Sequence, residues 1–220
     1  MFADALSFWN PWWRGNTDVL DRLVDRPSLR AAMPLFERKE VLAVTGVRRS
    51  GKTSLMRLLI RACLEDTPAE NILYASFEDL ALEEATVTKV LEEHERLMAP
   101  EGMRYVFLDE VQYKPGWERE VKRYYDGGEP IKFVVSGSNS SLLRTEYSTY
   151  LTGRDLSFEL FPLSFREFVG LRGVKVERKL DLVANRLRIQ GLLDEYMLHG
   201  GFPEVALTED EDTKGILLKS

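Results

Sequence analysis

Cysteine and histidine are nearly missing from this chain. Its 220 residues hold one cysteine, Cys63, and two histidines, His94 and His199. A single cysteine excludes an internal disulfide, and Cys63, on a helical stretch, reads as a small buried hydrophobe. No Cys or His pair has metal-ligand spacing, so neither a zinc site nor a Ser-His-Asp triad is expected. No apolar run approaches the roughly 18 residues that would suggest a membrane-spanning helix. The N-terminus lacks the basic start and apolar core of a secretory signal, so a cytoplasmic, reducing setting and no membrane partner are expected. Positive charge is also in deficit. Thirty Lys and Arg against 36 Asp and Glu leave a net charge of −6. That argues against a broad, sequence-independent nucleic-acid surface, while leaving room for a local basic patch.

What remains is an ordinary globular composition, 44% hydrophobic and 30% charged. The length suits one large domain or a domain with a small appendage. The most informative stretch is Gly46-Val47-Arg48-Arg49-Ser50-Gly51-Lys52-Thr53, which has the spacing G-x-x-x-x-G-K-[ST] of a phosphate-binding loop. Val41-Leu42-Ala43-Val44-Thr45 before it reads as a buried strand. Leu55, Leu58, Leu59 and Ala62 behind it recur at helical spacing. A strand that turns through glycines into a helix leaves backbone N–H groups pointing at one spot, suited to phosphate. Lys52 adds a charge for the β- and γ-phosphates, Thr53 a hydroxyl for magnesium, and Ser54 follows in the same helical turn. The expected ligand is a nucleoside triphosphate, with Gly46 to Ser54 as its cradle. Arg48 and Arg49 either contact phosphate or anchor a facing acid.

Four more strand candidates follow, near 71–77, 105–108, 131–135 and 156–160, separated by helical pattern. Alternation of strand and helix, with continuously apolar central runs, predicts an α/β sandwich on a parallel sheet. Between Gly46 and Asp109 lie 62 residues, about twice a simple strand-helix-strand unit. A strand near 71–77 and a helix near 83–98 fill that gap, which points to the ATPase branch of phosphate-loop proteins. Residues 1–35 form an aromatic and helical N-terminal segment. Within it Asn16 or Thr17 caps a helix carrying Val19, Leu20, Leu23 and Val24, which Pro27 breaks. Residues 36–161 form the core. Residues 162–220 read as a small helical lid that opens with a capping box, Ser164 and Glu167, and a staple, Leu163 and Phe168. Its helical pattern runs to about Leu198, where Gly200-Gly201-Phe202-Pro203 ends it. The acidic run 208–212 reads as a solvated loop.

Val106-Phe107-Leu108-Asp109-Glu110 drives a buried strand whose carboxyl end presents two acids, where ligands bind in such sheets. Asp109 would hold magnesium and Glu110 would polarise the attacking water as general base. The alternative is a solvated acidic turn. After the run Val134-Val135-Ser136-Gly137, Ser138 or Asn139 either senses the γ-phosphate or caps a helix. Arg154, after Gly153, suits transition-state charge in cis or from a neighbour; otherwise it is a surface arginine. Pro203 either stacks near adenine or marks a helix end. Trp12 and Trp13 either pack on the base or serve a core or interface. Glu78 and Asp79 either steer water, pair Arg48 or Arg49, or are solvated.

Several motifs occur in order: Asn10-Pro11-Trp12-Trp13, the phosphate loop, Phe77-Glu78-Asp79, Leu108-Asp109-Glu110-Val111-Gln112 with Gly116-Trp117-Glu118, Ser136-Gly137-Ser138, Leu151-Thr152-Gly153-Arg154, Pro162-Leu163-Ser164-Phe165, and Gly200-Gly201-Phe202-Pro203. The set covers nearly the whole chain and resembles the archaeal and bacterial AAA+-type ATPases close to the STAND signalling group. That resemblance implies a three-layer P-loop NTPase fold of the ASCE type, a five-stranded parallel sheet in the order 5-1-4-3-2, and ATP with Mg2+ as ligands. It also implies that Arg154 acts across a homo-oligomer interface. Relatives usually continue past Lys219 into a winged-helix region, so the chain is expected to be truncated there, with a protein or DNA partner bound through the part beyond. The expected activity is hydrolysis of ATP to ADP and phosphate that drives a conformational switch. The alternatives are a nucleotide-dependent binding module with negligible turnover and, less well supported by the Asp109-Glu110 pair, a small-molecule phosphotransferase.

Overall fold

A computed structural model describes residues 2–137 and 150–219. The chain divides into two compact units, one of residues 1–46 and 52–159, the other of 47–51 and 160–220.

The first unit is built on five parallel strands: β1 (Val41–Thr45), β2 (Ile72–Ser76), β3 (Arg104–Asp109), β4 (Ile131–Gly137) and β5 (Asp155–Glu159). Their order is β2-β3-β4-β1-β5, the expected 5-1-4-3-2 read from the other edge. The three-layer α/β fold follows from residue alternation. Side chains two apart share a face. Val41, Ala43, Leu73, Ala75, Val106, Leu108, Phe133 and Val135 join one cluster with residues of α1 (Phe2–Trp9), α5 (Val87–Met98) and α6 (Trp117–Gly127). Leu42, Val44, Phe107 and Val134 alternate with them and are equally buried. On that side lies α4 (Lys52–Cys63), which meets β3 and β4 and buries Leu55, Met56, Leu59 and Ile60. Cys63 ends this helix, and burial pushes its thiol up to about 12, which leaves it an inert filler.

Two short helices complete the unit and depart from expectation. The helix near 17–24 shrinks to α2 (Asp18–Asp21), and Thr17 makes no side-chain capping bond. Pro27 opens α3 (Pro27–Phe36) rather than only ending a helix, because a first-turn proline loses no intrahelical bond. Lys132, buried on β4, holds the C-terminal end of α3. Its Nζ donates to the carbonyls of Leu35 at 3.4 Å, Arg38 at 2.7 Å, and Glu40. Burial pushes its pKa down to about 8.

The edge strand β2 is closed by side chains. Asn10 accepts from Tyr74 N at 2.6 Å through its Oδ1 and donates to Tyr74 O at 2.8 Å through its Nδ2. It thereby presents an amide where a neighbouring strand would. Trp12 and Trp13 both donate their indole N–H to Ile72 O, at 3.1 and 2.9 Å. Trp9 donates to Asp79 Oδ2 at 2.7 Å. An unpaired strand edge is costly when buried and adhesive when exposed, and these contacts remove both problems.

The second unit holds α7 (Phe165–Leu171), α8 (Lys179–Ala184), α9 (Arg186–His199), α10 (Pro203–Leu207) and α11 (Glu211–Lys219). The helical pattern from Ser164 to Leu198 is therefore made of three helices. The capping box at Ser164 and Glu167 is present, and Leu163 and Phe168 pack with Ala206 in one cluster. Gly201 is needed for close approach. Leu163 N donates to Gly201 O at 2.6 Å, and a Cβ on Gly201 would stand 2.1 Å from Leu163 O. The acidic run is exposed, but from Glu211 it is helix rather than loop. Asp210 accepts from the N and Oγ1 of Thr213 at 2.8 and 2.5 Å, capping α11, and Glu211 pairs with Lys214 at 2.6 Å.

Two outcomes follow from these contacts. Asn10→Ala strips two edge-strand backbone groups of their partner and should destabilise the chain by about 2–4 kcal/mol, read as a lower urea midpoint at unchanged slope. His94 is fully buried, donates from Nε2 to Glu70 O at 2.8 Å and stacks on Trp13 at 5.4 Å. Burial pushes its pKa down from 6.5 to about 4. Between those values the unfolded chain binds a proton that the folded chain refuses. Stability should therefore fall as pH drops through this window, by up to about 3 kcal/mol. Urea titrations from pH 7 to 4 should show a shallower decline for His94→Gln.

Candidate active site

The end of β1 turns into α4 through the phosphate-loop sequence. Gly46, Arg49 and Gly51 have φ of 151°, 67° and 98°. Two of these positions are glycine, which adopts such angles freely; Arg49 is held there at a cost. Lys52 is the first residue of α4 and is buried, with Nζ 3.2 Å from Gly46 O. The N–H groups of a first helical turn have no intrahelical acceptor and make a natural anion seat.

Asp109 ends β3 with 2% exposure. Three hydroxyls from three elements converge on its carboxylate. Thr53 Oγ1 on α4 donates to Oδ2 at 2.7 Å. Tyr74 OH on β2 donates to the same oxygen at 2.6 Å. Ser136 Oγ on β4 donates to Oδ1. Register explains the gathering: Leu108 pairs with Val135 and Tyr74 with Phe107, so all three strands aim these side chains at the face that α4 covers. Glu110 follows with φ of 54°. Its N–H donates to Ser136 Oγ at 3.2 Å, and its carboxylate accepts from Gln112 Nε2.

The donor set fits magnesium. That ion is commonly held by one or two protein oxygens, with substrate phosphates and waters completing its shell. A single carboxylate beside a threonine hydroxyl suits this better than a closed all-protein cage. Among the described residues no group of three or more His, Cys, Asp or Glu is placed to hold a metal.

The profile of the AAA domain family matches residues 38–169, more than half of the chain. The chain belongs to the AAA domain family. An uncharacterised protein of Methanocaldococcus jannaschii is 31% identical over 180 residues, covering 82% of this chain and 39% of that protein. An uncharacterised protein of Haemophilus influenzae is 31% identical over 182 residues, covering 81% of this chain and 43% of that protein. The chain thus spans about two fifths of the length of these curated relatives. Among solved structures, the Walker-type ATPase PABY2304 of Pyrococcus abyssi is similar in fold. Its TM-score is 0.52 at 15% identity, over 84% of this chain and 66% of that one. The Hsp104-ADP complex of S. cerevisiae gives a TM-score of 0.57 at 18% identity, over 92% of this chain and 32% of that one.

Other expected residues of this AAA domain are less tightly grouped. Ser138 and Asn139 lie outside the described residues. Arg154 precedes β5, and its backbone oxygen accepts from Val41 N at the start of β1. The phosphate loop leaves the far end of that five-residue strand, roughly 16 Å away. The Arg154 guanidinium grips Asp126 with Nε–Oδ1 of 2.6 Å and Nη2–Oδ2 of 3.2 Å. Pro203 is the first residue of α10. Arg48 and Arg49 border a cavity of about 200 Å³ with Phe202, Glu204, Val205, Leu217 and Leu218, and Pro203 is not in its lining. Arg49 also donates to Leu217 O and lies 3.9 Å from Glu204. Trp12 and Trp13 serve the sheet edge, and Asp79 is engaged with Trp9 and the N–H of Ala81.

The sequence assigns no role to Tyr74, Ser136 or Gln112, although the last two fall within its motifs. Their signals are faint but real. Tyr74 is the polar-tipped member of an apolar run and shares a face with Ser76. Ser136 stands one strand over from Asp109. Gln112 is two residues beyond Glu110.

Proposed function

We propose that this AAA domain binds ATP with magnesium and hydrolyses it, and that the reaction biases its helical unit between two arrangements. One observation carries this reading: the Thr53 hydroxyl donates to Asp109 beside Lys52 and one residue before Glu110. A hydroxyl that gives its proton to a carboxylate keeps its lone pairs for a cation. In this reading Gly46 to Ser54 cradle the phosphates, and Lys52 neutralises charge that builds on the γ-phosphoryl group. Thr53 and Asp109 hold the magnesium, whose role is to offset phosphate charge. Glu110 takes the proton of the attacking water. Ser138 or Asn139 senses the γ-phosphate. Arg154, set at the opposite end of the strands from its own phosphate loop, serves a second copy of the chain. Pro203 places α10 near the base. The narrower kinship with STAND-type ATPases, a cytoplasmic location, the division at 35 and 161, and a protein or DNA partner bound beyond residue 220 belong to the same reading.

The coupling rests on Arg49, which belongs to the phosphate loop by sequence and bonds to α11 through Leu217 O. A ligand shifts an equilibrium only through differential contacts with its states, and this residue offers one.

A binding module with little turnover is favoured by a different contact. Gln112 occupies one oxygen of the Glu110 carboxylate, which leaves the base engaged.

Two variants separate these readings. Lys52→Ala should abolish binding of a fluorescent ATP analogue. Glu110→Gln should keep that binding and lower phosphate release by about 100-fold or more. Equal phosphate release from wild type and Glu110→Gln would overturn the base assignment. Undetectable single-turnover hydrolysis by wild type would favour the binding module.

A further inference from the structure

We propose that Tyr74 is a positioning residue for the magnesium site, acting through Asp109; this rests on the magnesium-dependent reading above. Thr53 and Asp109 would both touch the ion. Tyr74 would not, yet its hydroxyl donates to Asp109 Oδ2 at 2.6 Å. A carboxylate held at one oxygen can turn about its Cβ–Cγ bond. Held at both, by Ser136 on Oδ1 and by Thr53 and Tyr74 on Oδ2, it presents one orientation, and of the two donors on Oδ2 only Tyr74 would not also be a ligand of the ion.

The Tyr74 side chain is itself buried and packed. Its residue is 1% exposed. Arg57 lies over the ring at 5.8 Å, and Trp9 packs at 5.8 Å with the planes at 48°. The Tyr74 backbone is clamped at both N–H and C=O by Asn10. A buried hydroxyl needs a partner, and a phenylalanine here would bury the same ring without one. The tyrosine is therefore spent on the carboxylate, not on packing. Partners of metal ligands fix ligand orientation and strengthen metal binding, and their loss typically costs 10- to 100-fold in metal affinity or activity.

The test reads nucleotide binding, not turnover. Binding of a fluorescent ATP analogue is followed by anisotropy in EDTA and then across a Mg2+ titration. Tyr74→Phe should leave the EDTA affinity unchanged and raise the Mg2+ midpoint by about tenfold or more. Asp109→Asn should raise it at least as far. If Asp109→Asn leaves the midpoint unchanged, the magnesium reading of Asp109 itself fails. If Asp109→Asn raises it and Tyr74→Phe does not, only the role of Tyr74 falls. A merely structural tyrosine would lower EDTA affinity and melting temperature together, which also overturns the proposal. Should Tyr74→Phe fold poorly, two fuller replacements decide. Tyr74→4-aminophenylalanine keeps a donor and should hold the wild-type midpoint. Tyr74→4-methylphenylalanine fills the space without one and should raise the midpoint. Equal midpoints in that pair would refute the role.

Discussion

The Asp109 carboxylate is the point on which the site depends. It accepts hydroxyls from α4, β2 and β4 at once. Three elements distant in sequence are thereby set to within hydrogen-bond tolerance of each other. A buried carboxylate without donors would be expelled or neutralised, because taking its charge from water is very costly. The three hydroxyls offset that cost and fix the direction of both oxygens. Thr53 cannot move without Asp109, and Lys52 is its chain neighbour. The first turn of α4 is thus tied to the acidic end of β3 by the same contacts that make the carboxylate tolerable.

That arrangement needs β2 to stay in register at the edge of the sheet, where strands are most prone to slip. One residue of slip would turn Tyr74 to the opposite face. Asn10 prevents this with two backbone bonds to Tyr74 itself, and Trp12 and Trp13 add two more at Ile72. At the opposite end of the strands, Lys132 fastens the close of α3 ahead of β1. The aromatic N-terminal stretch is thus part of the architecture that places Asp109, and its tryptophans act mainly as indole donors to a strand edge.

Much of this was legible in the sequence, for physical reasons. Strands β1, β2 and β4 are short, largely apolar runs buried along their whole length, so composition alone marks them. The phosphate loop is legible because only a fixed spacing of glycine, lysine and threonine serves that turn. Strand order is not local information, and it came from resemblance to known proteins. Asn10 was hidden because its partner is 64 residues away and an amide side chain carries no periodic signal. Tyr74 was hidden because a tyrosine in an apolar run reads as packing. The acidic stretch after Leu207 is exposed, as its charge suggests, but it is a loop only as far as Asp210, which caps the helix that Glu211 opens. The helical pattern expected after Ser164 divides near Gly173 and again at Asn185, since side-chain spacing alone does not register a change of helix axis.

The backbone at Arg49 bears on how a phosphate site could move helices. A non-glycine residue at φ of 67° is held there by its surroundings, at a cost on the order of 1–3 kcal/mol. Its side chain meets Leu217 O and approaches Glu204. Those contacts belong to α11 and to the turn opening α10, the parts of the chain that follow the sheet in sequence. A ligand that rearranges the phosphate loop must either keep Arg49 in this geometry or release it. Release relieves backbone strain and breaks the contacts to both helices together. In the proposed switch, a phosphate group that interacts differently with these two geometries of Arg49 would choose between them.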